Sequence, residues 1–241
     1  VVVFMAGSLL ETGLRLPAGR ALAGLASPRL LASALGFGFV LGPLLALLIG
    51  RLLGLDAPYA LGLMLLGLTP CAPFLPGLVA RAGAEDAAVP AMMLICALAT
   101  IAILPLLVPL VSPDLSVDPL RLARPLLLFI VLPLAIGMVL LSVAPGVAAT
   151  IRAPVHGAAI LAALIALALC VTIYGRDLLG TVGTHAIAAQ FILLVAIAAA
   201  SRFLSSGLDR DRRNVLVLAM STRNVGAALL ILDAHHRIIW S

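Results

Sequence analysis

The residues of this chain best suited to chemistry lie in two short stretches that interrupt apolar sequence. One is Thr69-Pro70-Cys71-Ala72-Pro73-Phe74-Leu75-Pro76-Gly77, and the other is Ser221-Thr222-Arg223-Asn224. The first carries Pro70, Pro73 and Pro76, each lacking a backbone donor, so no continuous helix can pass through it. The second sets a permanent cation among hydroxyl and amide groups inside an apolar run. Such groups bind ions and hydrogen-bond small polar ligands. They do not make an enzyme: the chain offers no nucleophile placed with a base, no phosphate-binding loop and no paired catalytic carboxylates. The expectation is a non-enzymatic protein with no cofactor and no protein metal site.

The elements that must hold these stretches are membrane helices. Of 241 residues, 63% are hydrophobic and 10% charged, against roughly 45 to 50% and 25% in soluble domains. A bilayer core of about 30 Å needs about 20 apolar residues per helix. Runs of that length recur here: a stub at Val1 to Glu11, then Leu30 to Leu53, Tyr59 to Ala82, Ala87 to Val111, Pro125 to Val143, Val155 to Tyr174, Thr184 to Leu204 and Val215 to Leu232. A transmembrane barrel would alternate apolar and polar residues, and Leu161 to Val171 does not. The connections expected between spans are Ser112 to Arg124, with Pro113, Asp114, Asp118 and Pro119, then Arg176-Asp177, and the charged Asp209-Arg210-Asp211-Arg212-Arg213.

The net charge of +5 comes from 15 arginines scattered over short connections, which excludes a nucleic-acid patch and reads as a topology signal. With the first loop cytoplasmic, that side carries nine arginines and the other five, with Arg223 on neither, as the positive-inside rule requires. Cys71, Cys96 and Cys170 each sit in an apolar run and read as small packing residues, without disulfide or zinc spacing. Gly36, Gly38 and Gly42 read as a packing face, and Gln190 as a cavity group or a helix-to-helix hydrogen bond. His156 and His185 read as interfacial residues near span ends. His235 and His236 follow the last span, with no other metal ligands in view.

The interrupted spans at Tyr59 to Ala82 and Val215 to Leu232 have four complete spans between them. Unwound backbone survives in a membrane only where it lines a cavity or is buried in protein, and paired interruptions in two halves point to a transport site. The fold expected is an all-α polytopic membrane protein, an inverted-repeat helical bundle with two crossing broken helices. It forms a single transmembrane domain over 1–241, with 1–111 part of one repeat and 125–232 part of the other, and truncated at both ends.

Several segments resemble the bile acid:sodium symporter family. They are Phe4-Met5-Ala6-Gly7-Ser8-Leu9, Phe39-Val40-Leu41-Gly42-Pro43-Leu44, Gly67-Leu68-Thr69-Pro70 followed by Leu78-Val79-Ala80-Arg81-Ala82-Gly83, and Ser221-Thr222-Arg223-Asn224-Val225-Gly226-Ala227-Ala228-Leu229. The resemblance implies ten helices in two inverted repeats, of which this chain covers the second to the ninth. It also implies that broken helices four and nine cross near the membrane centre. Sodium-coupled members carry Pro-Gly-Gly and then Ser-Asn in the fourth helix, where this chain reads Pro70-Cys71-Ala72-Pro73-Phe74. Their ninth helix has a glutamate and a glutamine where Ala219 and Arg223 stand here, while Asn224 is kept. The sodium-site residues are largely not kept, so the coupling ion is open between sodium and a proton.

The resemblance implies a secondary active transporter of a small organic anion, rocking one bundle against another around a midplane site. The expected substrate-binding residues are Arg223, Asn224, Thr222, Ser221, Thr69, Pro70 and Cys71. Arg223 would bind the anion or stand in for sodium, against the alternative of a structural cap on broken-helix carbonyls. A cation at the bilayer centre costs about 2.5 to 3.5 kcal/mol on insertion scales, so something must offset it. Two other readings stay open. One is an arsenite-type exporter of the same fold using Cys71, as distantly related exporters use a fourth-helix cysteine; the other is a membrane sensor or scaffold that moves nothing. The expected setting is a multi-pass protein of the bacterial inner membrane, its partners the organic anion and the lipid bilayer.

Overall fold

The computed structural model describes residues 2–83, 88–111, 119–181 and 183–229, and its regular elements are all helical. In order they are α1 (Val2–Gly13), α2 (Ala18–Leu25), α3 (Pro28–Leu35), α4 (Gly42–Leu52), α5 (Ala57–Gly67), α6 (Leu75–Arg81) and α7 (Val89–Val111). Then come α8 (Pro119–Leu126), α9 (Leu132–Val143), α10 (Pro145–Gly180), α11 (Ala186–Leu204) and α12 (Arg210–Ser221). A last helical turn covers 225–229. Five stretches are long and apolar enough to cross a membrane, namely Pro28–Leu52, Val89–Val108, Ala123–Val143, Pro145–Arg176 and Ala186–Leu204. They match the five continuous spans expected from the sequence, and the two interrupted spans are broken at the expected places.

Two of the long spans pass through a widened turn. Gly36–Leu41 joins α3 to α4, and Leu127–Val131 joins α8 to α9, with five-residue spacing at the exit: Gly42 N–H donates to the Phe37 carbonyl and Leu132 N–H to that of Leu127. In both spans a proline follows immediately, Pro43 and Pro133. Proline has no N–H for the carbonyl four residues back, and widening the turn just before it redistributes the remaining bonds without ending the helix.

Several connections differ from expectation. The helix α10 runs unbroken from Pro145 to Gly180, so Arg176 and Asp177 lie inside it rather than in a loop. A helix has no reason to stop at the membrane face when its next turn can be solvated. His156 accordingly lies well inside a helix. Residues 119–124 belong to α8 rather than to a connection, and the first loop contains α2. The charged stretch opens α12: Asp209 accepts the Arg212 N–H at 2.9 Å as an N-cap. Arg213 turns back to donate to the carbonyls of Ser205, Ser206 and Leu208, closing the end of α11. Asp114, Asp118 and Pro113, the segment 230–232, His235 and His236 lie outside the described residues.

The helices sort into two bundles. In the first, α1 packs on α9 and α10, which also pack on each other. In the second, α4 packs on α5 and α11, and α12 meets α11, α6, α3 and α7. The span containing α7 is the most enclosed of the five, with 61% of its most apolar window buried, while that of α10 is 6% buried. Among the described residues, a polar contact joins the bundles where the Thr12 hydroxyl of α1 donates to the Pro73 carbonyl at 2.8 Å.

Candidate functional site

Two close approaches bring the broken segments together. A β-carbon at Gly67 would stand 2.9 Å from the Gly42 carbonyl oxygen and 3.0 Å from the Ala46 β-carbon, so α5 can end against α4 only with glycine there. Gly38 in turn leaves room for the Pro70 ring, which would meet a β-carbon at 2.9 Å. Gly38 and Gly42 thus form a packing face as expected, whereas a β-carbon at Gly36 would meet nothing within 4 Å.

The first break, Leu68 to Phe74, crosses the second, Thr222 to Asn224, as a single antiparallel bridge between Pro70 and Arg223. Asn224 N–H donates to the Thr69 carbonyl at 2.8 Å, and Cys71 N–H lies 3.0 Å from both the Ala219 and Thr222 carbonyls. Ala72 N–H reaches the Thr222 hydroxyl at 3.3 Å. Each broken helix therefore satisfies groups freed in the other, which is what allows unwound backbone inside a bilayer.

The side chains divide into those spent on backbone and those not. The Thr69 hydroxyl donates to the Leu65 carbonyl at 3.0 Å, that of Thr222 to the Leu218 carbonyl at 2.9 Å, and that of Ser221 to the same carbonyl at 3.2 Å. The Asn224 side-chain oxygen accepts the Ala227 N–H at 3.1 Å, capping the turn at 225–229. Arg223 is 6% exposed. Its Nη1 donates to the carbonyl of Gly67, the last residue of α5, at 3.4 Å, while Nε and Nη2 are buried without a partner among the described residues. No described carboxylate pairs with it. The guanidinium thus sits at the negative end of the α5 dipole with hydrogen-bonding capacity to spare.

The seven residues singled out in the sequence are thus brought together at the crossing. Five residues of the cavity beside Arg223 were not singled out: Leu66, Phe74, Leu193, Leu194 and Val225. A cavity of about 210 Å³ is lined by Leu66, Phe74, Gln190, Leu193, Leu194, Ser221, Thr222, Arg223 and Val225. A second, of about 270 Å³, shares Leu66, Gln190 and Val225 with it. Gln190 therefore faces cavities, the first of the two roles considered for it. Phe74, Leu193, Leu194 and Leu66 are apolar residues in apolar runs, and no sequence signal marks them out from neighbours that face lipid.

Comparison with known proteins agrees with this architecture. A model of the sodium bile acid symporter family matches residues 2–181. The chain belongs to that family. Family members are membrane transporters rather than enzymes, and the chain is accordingly a multi-pass membrane protein of the organic-anion transporter type. The match spans the first break and ends before the second. No curated protein matches the chain.

The family name raises the question of whether this chain could hold sodium at the crossing. The charge at the crossing does not fit that ion. The hydroxyl, amide and carbonyl oxygens there keep lone pairs, but none belongs to a carboxylate. A second cation would meet repulsion from Arg223, with no carboxylate paired there among the described residues to offset it.

Proposed function

We propose that this symporter-family chain is a secondary carrier for a small organic anion, in which the Arg223 guanidinium is the fixed cation at the crossing. The observation that supports this reading is the pair of guanidinium nitrogens without a partner among the described residues, buried where the two broken helices meet and beside a cavity. Burying a charge with unmet hydrogen bonds is costly. A carboxylate or sulfonate arriving from the cavity would recover that cost by the forked geometry guanidinium provides. The cavity walls are apolar apart from Gln190, Ser221, Thr222 and Arg223, which favours an anion with a compact apolar body. Ser221, Thr222, Asn224, Thr69, Pro70 and Cys71 then shape the site through the backbone they satisfy.

In this reading the cation is part of the chain, so transport runs without sodium and is driven by the anion gradient or by a co-transported proton. The two bundles rock about the crossing. The Thr12 contact to Pro73 is broken and remade in each cycle. The protein works in the bacterial inner membrane.

The test is uptake of a panel of labelled carboxylates and sulfonates into proteoliposomes under imposed sodium, proton and potential gradients. Sodium-independent uptake is expected, lost in Arg223→Gln at unchanged protein level. Undiminished uptake by Arg223→Ala, or wild-type flux that follows the sodium gradient, would overturn the reading. Flux of no anion under any gradient would favour the scaffold alternative. An arsenite exporter finds no support in the thiols: Cys71 and Cys96 line neither cavity, and Cys170 is exposed on α10.

A further inference from the structure

The cavity beside Arg223 is lined by four polar side chains, Gln190, Ser221, Thr222 and Arg223, among apolar ones. Three of them are engaged. The Ser221 and Thr222 hydroxyls each donate to the Leu218 carbonyl, and Arg223 supplies the charge on which the anion-carrier reading rests. Gln190 differs. It sits in the apolar first half of α11, and its amide has no hydrogen bond among the described residues.

Helical spacing puts Gln190 in the cavities. Ala186 and Gln190, four residues apart, line the larger cavity, and Gln190 and Leu194, again four apart, line the one beside Arg223. One stripe of α11 therefore serves both. Ala189 and Leu193 are fully buried, whereas Phe191 is 69% exposed. Gln190 is exposed and stands where the two cavities overlap, a place it shares with the apolar Leu66 and Val225.

A polar group in an apolar span is costly unless it is hydrogen-bonded, and the common solution is a bond to a neighbouring helix. The helix α11 packs on α4, α5 and α12, and none of them gives Gln190 a partner among the described residues. The partner must arrive through the cavity. Its chemistry is set by the amide, which donates through nitrogen, accepts through oxygen and carries no charge. A hydroxyl answers both. A second carboxylate does not, because it would need a second cation, and Arg223 is the only cationic side chain lining either cavity.

We propose that Gln190 is a specificity-determining residue of this carrier, hydrogen-bonding a hydroxyl on the body of a monoanion whose acid group is held by Arg223. Both side chains line one cavity of about 210 Å³, so acid and hydroxyl belong to one small molecule and lie a few carbons apart. The inference rests on the anion-carrier reading and adds a substrate class to it, the short hydroxylated monoanion.

The experiment is competitive uptake into proteoliposomes of pairs that differ by the hydroxyl alone, butyrate with β-hydroxybutyrate and propanesulfonate with γ-hydroxypropanesulfonate, with succinate as a dianion. Wild-type protein should take the hydroxylated member of each pair in preference, and succinate least. Gln190→Leu should lower the hydroxylated-to-plain ratio of kcat/KM by about threefold to tenfold, the worth of one neutral hydrogen bond. Gln190→Asn keeps the amide on a shorter stem and should fall between. A residue that only packed would move both members alike and leave the ratio fixed. Gln190→Met, unbranched and close in length, decides the question if the leucine variant fails to accumulate. An unchanged ratio in these variants, a wild-type preference for the plain members, or a preference for succinate would each overturn the assignment of Gln190 while leaving the carrier reading in place. Uptake of no anion by the wild-type protein would overturn the carrier reading and this inference with it.

Discussion

The first break contains two prolines between Leu68 and Phe74, whereas the second, Thr222 to Asn224, contains neither proline nor glycine. The first is unwound because its donors are missing, and it would be broken in any surroundings. The second is unwound because each of its residues has something better to bond than its own helix. Asn224 N–H goes to Thr69, the Thr222 carbonyl to Cys71, and the Arg223 side chain to Gly67. A break written into covalent structure thus serves as the template for one held by contacts.

This comparison can be broken at four points, in falling order of effect. Gly42→Val drives a side chain into the end of α5 and removes the template. Overpacking of this kind costs about 3 kcal/mol at the upper end, visible as a large drop in the melting temperature of the detergent-solubilised protein. A wild-type melt would mean that the first break needs no support from α4. Gly38→Ala presses only on the Pro70 ring, and about 1 to 2 kcal/mol is expected by the same measurement.

Asn224→Ala removes the cap on 225–229 at about 1 kcal/mol, and Asn224→Asp should restore most of it. Amide exchange after the second break should quicken in the alanine variant alone; equal exchange in both would show that the cap is not what holds that turn. The smallest effect belongs to Thr12→Val, which deletes the contact between bundles at about 0.5 to 1 kcal/mol. Its signature is kinetic: uptake by the proteoliposome assay changes rate while the substrate concentration for half-maximal uptake holds. A shift in that concentration alone would place Thr12 in the binding site instead.

Much of the architecture was legible because the bilayer imposes a length on every span. Pro70, Pro73 and Pro76 announced the first break by chemistry that needs no partner. Arg223 announced the second because an unpaired charge in an apolar run has few explanations. The missing parts are those that depend on tertiary neighbours. Arg176 looked like a loop residue because charge was taken to end a helix, but α10 carries it past the apolar zone. Glu11 forms an ion pair with Arg15 and lies 3.9 Å from His156, a residue 145 positions away that the sequence could only place near a span end. Gln190 became meaningful only once the crossing showed what it faces.

The helix α10 has a further consequence. Arg152 and Arg176 lie 24 residues apart along it, about 36 Å at 1.5 Å per residue, while a typical hydrocarbon core is about 30 Å thick. Most of its surface is exposed, with α1 and α9 packed along it. Thinner bilayers tip it further and thicker ones draw it upright, and α1 and α9 packed against it are carried along. A change in bilayer thickness therefore bears first on α10 and, through its packing, on α1 and α9.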